Sequence, residues 1–134
     1  MDRAVLRIID TNANRATEAA RVLEDAARLA LNDAESARRC KQLRHSLRRS
    51  LVPFELAERL TSRDTPGDVG TRMTTETETA RSDLTEVCAA AGKRLGEALR
   101  VLEEVMKLTE PVAAAEIKQL RYEGYELEKG IVLG

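Results

Sequence analysis

Two groups of residues in this chain have the types and spacing to do chemistry. The first is the run Ser62-Arg63-Asp64-Thr65-Pro66-Gly67-Asp68-Val69-Gly70-Thr71-Arg72. Arg63 and Arg72 can pair with phosphate oxygens. Gly67 and Gly70 let backbone N–H groups approach an anion, and Asp64 or Asp68 can hold Mg²⁺ directly or through water. A plain linker is the competing reading of so polar a segment. There is no G-x-x-x-x-G-K-[ST], so phosphate binding here would not be of the P-loop kind. The second group is helical, Arg15 with Glu18 and Arg94 with Glu97. At 100° per residue Arg15 and Arg94 fall inside the apolar arcs of their helices, flanked by Ala19 and Val22 or by Ala98 and Val101. A guanidinium buried there must be paired or must face an anion, so the expectation is a structural Arg–Glu pair or a ligand site between the two helices. Arg21, Glu24 and Arg28, like Arg100, Glu103 and Lys107, instead fit solvated helix faces. His45 is the single histidine, which excludes a histidine metal cluster, and no serine or cysteine has the context of a nucleophile.

These groups need helices to hold them. Leu6, Ile9, Ala13, Ala16, Ala20, Leu23, Ala27 and Ala30 recur at three- and four-residue steps, which predicts a long amphipathic helix over roughly 3–31. Asn32 followed by Glu35 has capping-box spacing, and Cys40, Leu43, Leu47, Leu51 and Phe54 form the stripe of a second helix. Pro53 either breaks that helix or starts a short extra one. Asp83 followed by Glu86 starts a further helix, carried by Leu84, Val87, Ala91, Leu95, Ala98, Leu102 and Val105 to about Thr109. Pro111 suits the first turn of a last helix with its seam at Ile117, Leu120, Gly124, Leu127 and Ile131. Connections as short as those at Asn32 and Glu110 make antiparallel hairpins. Between the hairpins, residues 61–82 hold seven Thr with Pro66, Gly67 and Gly70 and read as a central loop.

Composition narrows the class. The 134 residues suffice for one domain with one core. Hydrophobic residues make up 43% but aromatics only 2%, which suits packed Ala- and Leu-rich helices and argues against a sandwich or barrel. Cations and anions nearly cancel, 22 against 23, so no strong field would draw the chain to nucleic acid or an anionic membrane. Seventeen of the cations are Arg. Genomic base composition could produce that bias, as could selection for bidentate phosphate contacts. No apolar run approaches the roughly 20 residues needed to cross a bilayer. Cys40 and Cys88 lack zinc or redox spacing, and the N-terminal residues do not open like a signal peptide, so a cytoplasmic protein with reduced thiols is expected.

The halves also match in identity. Arg15 to Asp25 aligns with Arg94 to Glu104, with seven of eleven positions identical, and Lys41-Gln42-Leu43-Arg44 recurs as Lys118-Gln119-Leu120-Arg121. His45 then aligns with Tyr122. An internal duplication follows. The expected fold is all-α, a four-helix bundle of two duplicated hairpins (3–52 and 83–130) with a pseudo-two-fold axis and the central loop between them, forming one helical domain over 1–134.

Together with Arg7-Ile8-Ile9-Asp10, Asn12-Ala13-Asn14-Arg15, Asp68-Val69-Gly70, Lys93-Arg94 and the run from Arg121-Tyr122 through Tyr125 to Glu128-Lys129, these motifs resemble the small hydroxymethylpyrimidine-phosphate kinases of thiamine biosynthesis. The resemblance covers nearly the whole chain. That family occurs alone or fused before a thiamine-phosphate synthase barrel. One departure is Ala91-Gly92, where the family carries an Asn before the Lys-Arg of its second repeat. The resemblance implies transfer of the γ-phosphoryl of ATP, with Mg²⁺, to hydroxymethylpyrimidine monophosphate. It assigns Arg15, Arg94, Arg63 and Lys93 to phosphate neutralisation. Asp64 and Asp68 become Mg²⁺ ligands, with Asp68 also in the catalytic set. Glu18 and Glu97 are expected to contact the metal or the pyrimidine, and Asn12, Asn14, Gly67 and Gly70 the substrate or its phosphate. Expected partners are ATP, the pyrimidine phosphate and thiamine-phosphate synthase, with a homodimer left open and neither nucleic acid nor membrane. Two other classes stay in view. A non-catalytic helical adaptor would use the hairpins as a protein-binding surface. An all-helical chorismate mutase would share the opening Leu6-Arg7-Ile8-Ile9-Asp10 but not the duplication.

Overall fold

Asp2 starts the first helix, its Oδ1 accepting from the amides of Ala4 and Val5 at 2.7 and 3.3 Å. Helix α1 (Arg3–Asp25) buries Leu6, Ile9, Ala13, Ala16, Ala20 and Leu23 along the predicted stripe. The computed structural model describes residues 1–75 and 79–134; of the central loop, residues 76–78 lie outside the described residues. Among the described residues the structure is helical, without strands.

The end of α1 differs from the expectation of a plain helix to residue 31. Residues Ala26–Ala30 form a π-helical turn, closed by Leu31 N–H to Ala26 O at 3.0 Å, and Asp33 N–H reaches Ala27 O at 2.8 Å. Asn32 has φ 51°, the left-handed conformation that Asn tolerates better than most residues, so it ends the first helix and does not cap the second. The cap is Asp33, whose Oδ1 accepts from Ser36 N–H at 3.0 Å. Helix α2 (Ala34–Ser50) follows. A turn through Pro53 buries Phe54 and leads into the short α3 (Leu56–Ser62), so the loop begins at Arg63 and not at 61.

Helix α4 (Leu84–Met106) starts as predicted. Asp83 Oδ1 accepts from Glu86 N–H at 2.7 Å, and Glu86 reaches back to Ser82 N–H at 2.7 Å. Pro111 opens α5 (Pro111–Leu133), where its missing N–H costs nothing. Helix α1 packs most extensively on α4. Helices α1 with α2 and α4 with α5 form the hairpins, and α2 contacts α5, which closes a ring of four long helices. The core is aliphatic and rich in alanine. Ala13, Ala16, Ala20, Ala91 and Ala98 are each at most 3% exposed, and such small side chains let α1 and α4 pack closely. That close pairing positions the site.

Candidate functional site

Arg15 is exposed, not buried as its place in the apolar arc suggested, and Arg94 is half-buried. A long side chain carries its guanidinium out of the arc to the margin while its stem stays on the helix. The expected Arg15–Glu18 and Arg94–Glu97 pairs within one helix do not form among the described ion pairs. Arg94 instead crosses to the facing helix, with Nη2 3.1 Å from Glu18 Oε1. The buried guanidinium–carboxylate pairs of this molecule are others. Arg44 donates through Nε and Nη2 to Glu24 Oε1 at 3.1 and 2.8 Å, and Arg121 donates through the same atoms to Glu103 Oε1 at 3.1 and 3.0 Å. Glu24 and Glu103, assigned from sequence to solvated faces, are 8% and 3% exposed. These two pairs occupy equivalent positions in the two repeats and tie each long helix to its hairpin partner.

Two cavities meet at Arg15. The first, about 670 Å³, lies along the α1–α4 seam and is lined by Asn12, Arg15, Arg81, Lys93, Arg94 and Glu97, with Ala90, Ala98 and Val101 as its apolar part. Four cations face one carboxylate there, which suits a polyanion. Asn12 is 5% exposed and donates through Nδ2 to Ile8 O at 2.9 Å. The second cavity, about 380 Å³, lies between α1 and the start of the central loop, lined by Arg7, Asp10, Asn14, Arg15, Arg63 and Asp64, with Thr11, Thr65 and Asp68. The structure therefore brings together Asn12, Arg15, Lys93, Arg94 and Glu97 in one cavity and Asn14, Arg15, Arg63, Asp64 and Asp68 in the other. Glu18 lines neither. It serves as the partner of Arg94.

The loop is fastened at its first residue. Arg63 grips Asp10 with two donors, Nε to Oδ2 and Nη2 to Oδ1 at 3.0 Å, and Arg59 Nη1 stands 3.5 Å from the same carboxylate. This bonding pushes the Arg63 pKa upward. Asp10 is 2% exposed. Sequence reasoning quoted it only within a motif, although a carboxylate beside Ile9 on a buried helix face was a usable signal. Gly67 and Gly70 depart from the expected phosphate cradle: their amides donate to Asp64 Oδ1 at 3.1 Å and Asp68 Oδ1 at 2.7 Å, so they shape the carboxylates. Among the described residues no cluster of three His, Cys, Asp or Glu side chains converges as a metal site. Beside Asp10, which the arginines hold, the cavity offers Asp64 and Asp68, and two such carboxylates fit Mg²⁺, which commonly takes one or two from protein and fills its shell with water and phosphate oxygens. Arg7, Arg59 and Arg81 are further cations here that sequence patterns did not single out.

A sequence profile described as the ThiD2 family matches residues 7–130. Among curated proteins, one from Rhodopirellula baltica named thiamine-phosphate synthase is 47% identical over 123 residues, covering 92% of this chain and 33% of that protein. A second of the same name, from a Synechocystis species, is 45% identical over 129 residues, 96% of this chain and 36% of its own length. A third, from Nostoc punctiforme, is 42% identical over 132 residues, 98% and 36%. The chain thus spans about a third of the length of the curated relatives it matches. No solved structure matches. Among the described residues no helix is long and apolar enough to cross a membrane.

Proposed function

The chain belongs to the ThiD2 family, a family of thiamine biosynthesis, and from that premise we propose that it is a kinase transferring the γ-phosphoryl of ATP to hydroxymethylpyrimidine monophosphate. The observation that carries this reading is the position of Arg15 on the shared wall of two cavities. The wider cavity, with Arg81, Lys93 and Arg94, suits the donor's polyphosphate. The narrower one suits the smaller acceptor. An acceptor oxygen attacks the γ-phosphorus in line, the bond to the bridging oxygen breaks, and ADP leaves with that electron pair. A phosphate monoester is largely dianionic at neutral pH, so the attacking oxygen needs little help from a base. The difficulty is electrostatic, since two polyanions must meet. Arg15 lies where they meet and offers a guanidinium to the oxygens that carry the transition-state charge. Asp10 holds Arg63 at the mouth of the acceptor cavity, and Asp64 and Asp68 would hold Mg²⁺, which supplies further charge neutralisation when bound.

The rest of the proposal concerns the frame. The duplication reads as one four-helix domain over 1–134 in which a pseudo-two-fold relates the α1–α2 and α4–α5 hairpins, and the equivalent buried pairs Arg44–Glu24 and Arg121–Glu103 support it. Thiamine-phosphate synthase, the name its relatives carry, is the proposed working partner, and the cytoplasm the proposed setting. Coupled ADP release tests the activity, with the monophosphate set against the free alcohol. Turnover is expected with the monophosphate. Arg15→Ala should lower kcat/KM by about 10²–10³, the size of a lost transition-state donor. Because Arg15 is exposed, its melting temperature should hold. Arg28→Ala, on the exposed side of the π-helical turn, should stay within about twofold. No ADP release with the monophosphate, or equal losses for the two variants, sinks the proposal.

A further inference from the structure

The two hairpins carry grooves at equivalent positions, and the chain covers only one of them. Between α1 and α2 a groove of about 390 Å³ is walled by Ala13, Thr17, Arg48 and Leu51, and the turn after α2 with the start of α3 covers it through Phe54 and Leu56. In the registers that pair Arg15 with Arg94 and Arg44 with Arg121, those walls correspond to Gly92, Gly96, Tyr125 and Glu128. These four wall a groove of about 600 Å³ between α4 and α5. There α5 continues as helix through the position equivalent to the turn, and the groove stays open.

Its lining differs: Tyr125 and Glu128 stand where the first groove has Arg48 and Leu51. Tyr125 is 42% exposed and lines the groove. Its hydroxyl accepts from Arg121 Nη1 at 3.2 Å, and the buried pairing of Arg121 with Glu103 fixes that donor in turn. A Cβ on Gly96 would stand 2.9 Å from Tyr125 Cε1, so the glycine is what lets the ring approach α4. Lys93, Glu97 and Val101 line both this groove and the cation cavity, so the two adjoin along α4.

We infer that the Tyr125 groove seats the adenine of the nucleotide whose polyphosphate lies in the adjoining cation cavity. This rests on the phosphotransfer reading and adds the base subsite to it. The ring of Tyr125 offers a stacking face, Val101 an apolar edge, and Glu128 a carboxylate that accepts from an exocyclic amino group. The groove and the cation cavity together give a track suited to the larger of the two substrates. The acceptor's aminopyrimidine is a second source of the same chemistry, and the experiment separates them.

The chain has two tyrosines and no tryptophan, so ring-labelled tyrosine gives two sets of NMR signals, and Tyr122→Phe leaves Tyr125 alone. Mg·ADP is expected to shift the Tyr125 ring signals, whereas Mg·tripolyphosphate and hydroxymethylpyrimidine monophosphate leave them in place. In kinetics, Tyr125→Leu should raise the KM for ATP about tenfold, within the range of base–aromatic stacking, with kcat and the acceptor KM within about twofold. Tyr125→Phe, which keeps the ring, should recover most of that loss. If Tyr125→Leu fails to fold, the NMR titration of the native ring carries the test. Unmoved signals at ADP saturation, judged by the ³¹P resonances, overturn the inference and leave phosphotransfer standing if turnover persists. A shift caused by the pyrimidine phosphate and not by ADP assigns the groove to the acceptor and also overturns it. So does a shift that follows protein concentration without ligand, the sign of a second copy in the groove. A shift with ADP but no turnover supports the subsite and sinks the kinase.

Discussion

Arg44 and Arg121 show what burial does to a guanidinium that the helical wheel leaves unmarked. Each sits within about 9% exposure against a carboxylate that accepts two of its N–H groups, so neither charge is stranded. Removing one partner changes that. Glu24→Ala and Glu103→Ala should each cost about 3–5 kcal/mol in urea unfolding, the penalty of a buried charge left alone. Arg94→Ala breaks a pair whose side chains are 38% and 53% exposed and should cost at most about 1 kcal/mol. If Glu24→Ala unfolds no more easily than Arg94→Ala, the buried pairs are not what fastens each hairpin. The types of these residues were plain in the repeat, but their burial was not. A wheel places Cβ atoms, and the charged end of a long side chain goes wherever a neighbouring helix offers a partner.

The central loop and the helices around it are joined by a carboxylate on α1. Asp10 receives Arg63 from the start of the loop and Arg59 from α3, so the loop's first residue is tied down while Arg72, nine positions on, is exposed. Trypsin should therefore cut after Arg72 well before it cuts after Arg63. The informative comparison is Asp10→Asn, which weakens the grip: cleavage at Arg63 should speed up several-fold relative to the internal reference at Arg72. An unchanged ratio would show that the clamp does not restrain the loop. Element boundaries set by local chemistry were readable, as at Asp83 and Pro111. The π-helical turn at Ala26–Ala30 was not, because its longer closures depend on how α2 turns back against α1, and that is a tertiary matter.

At the scale of the molecule the described residues form one mostly aliphatic core that also takes in Phe54, and Cys40 is embedded in it at 1% exposure. Burial first, and then the charge of Glu24, pushes its thiol up to about 12 from an ordinary value near 9. Since the folded pKa is raised, the thiol's contribution is fully present below pH 9 and is lost as pH rises from 9 toward 12. Over that window the unfolded state releases a proton that the native state keeps, worth up to about 1.4 kcal/mol per pH unit. Cys40→Ala should lower stability at pH 7 by leaving a small cavity, yet flatten the decline of urea stability between pH 9 and 11. Parallel declines in the two proteins would mean that the thiol ionises freely in the native state.

The repeat and its helices were legible from the chain alone, because a 3.6-residue apolar period, a capping Asp and a Pro at a first turn act over one to three turns of local backbone. The duplicated identities pointed to the hairpin equivalence proposed above without any coordinates. Tertiary structure alone decided which charges are buried, that Arg94 reaches Glu18 on the facing helix, that Asp10 clamps the loop, and that Arg15 stands between two cavities while Tyr125 lines a third. Each of these joins residues on different elements, in the ion pairs 53 and 76 positions apart. A flexible charged side chain takes its place from the partner that packing brings within reach, and no local pattern in sequence encodes that distance.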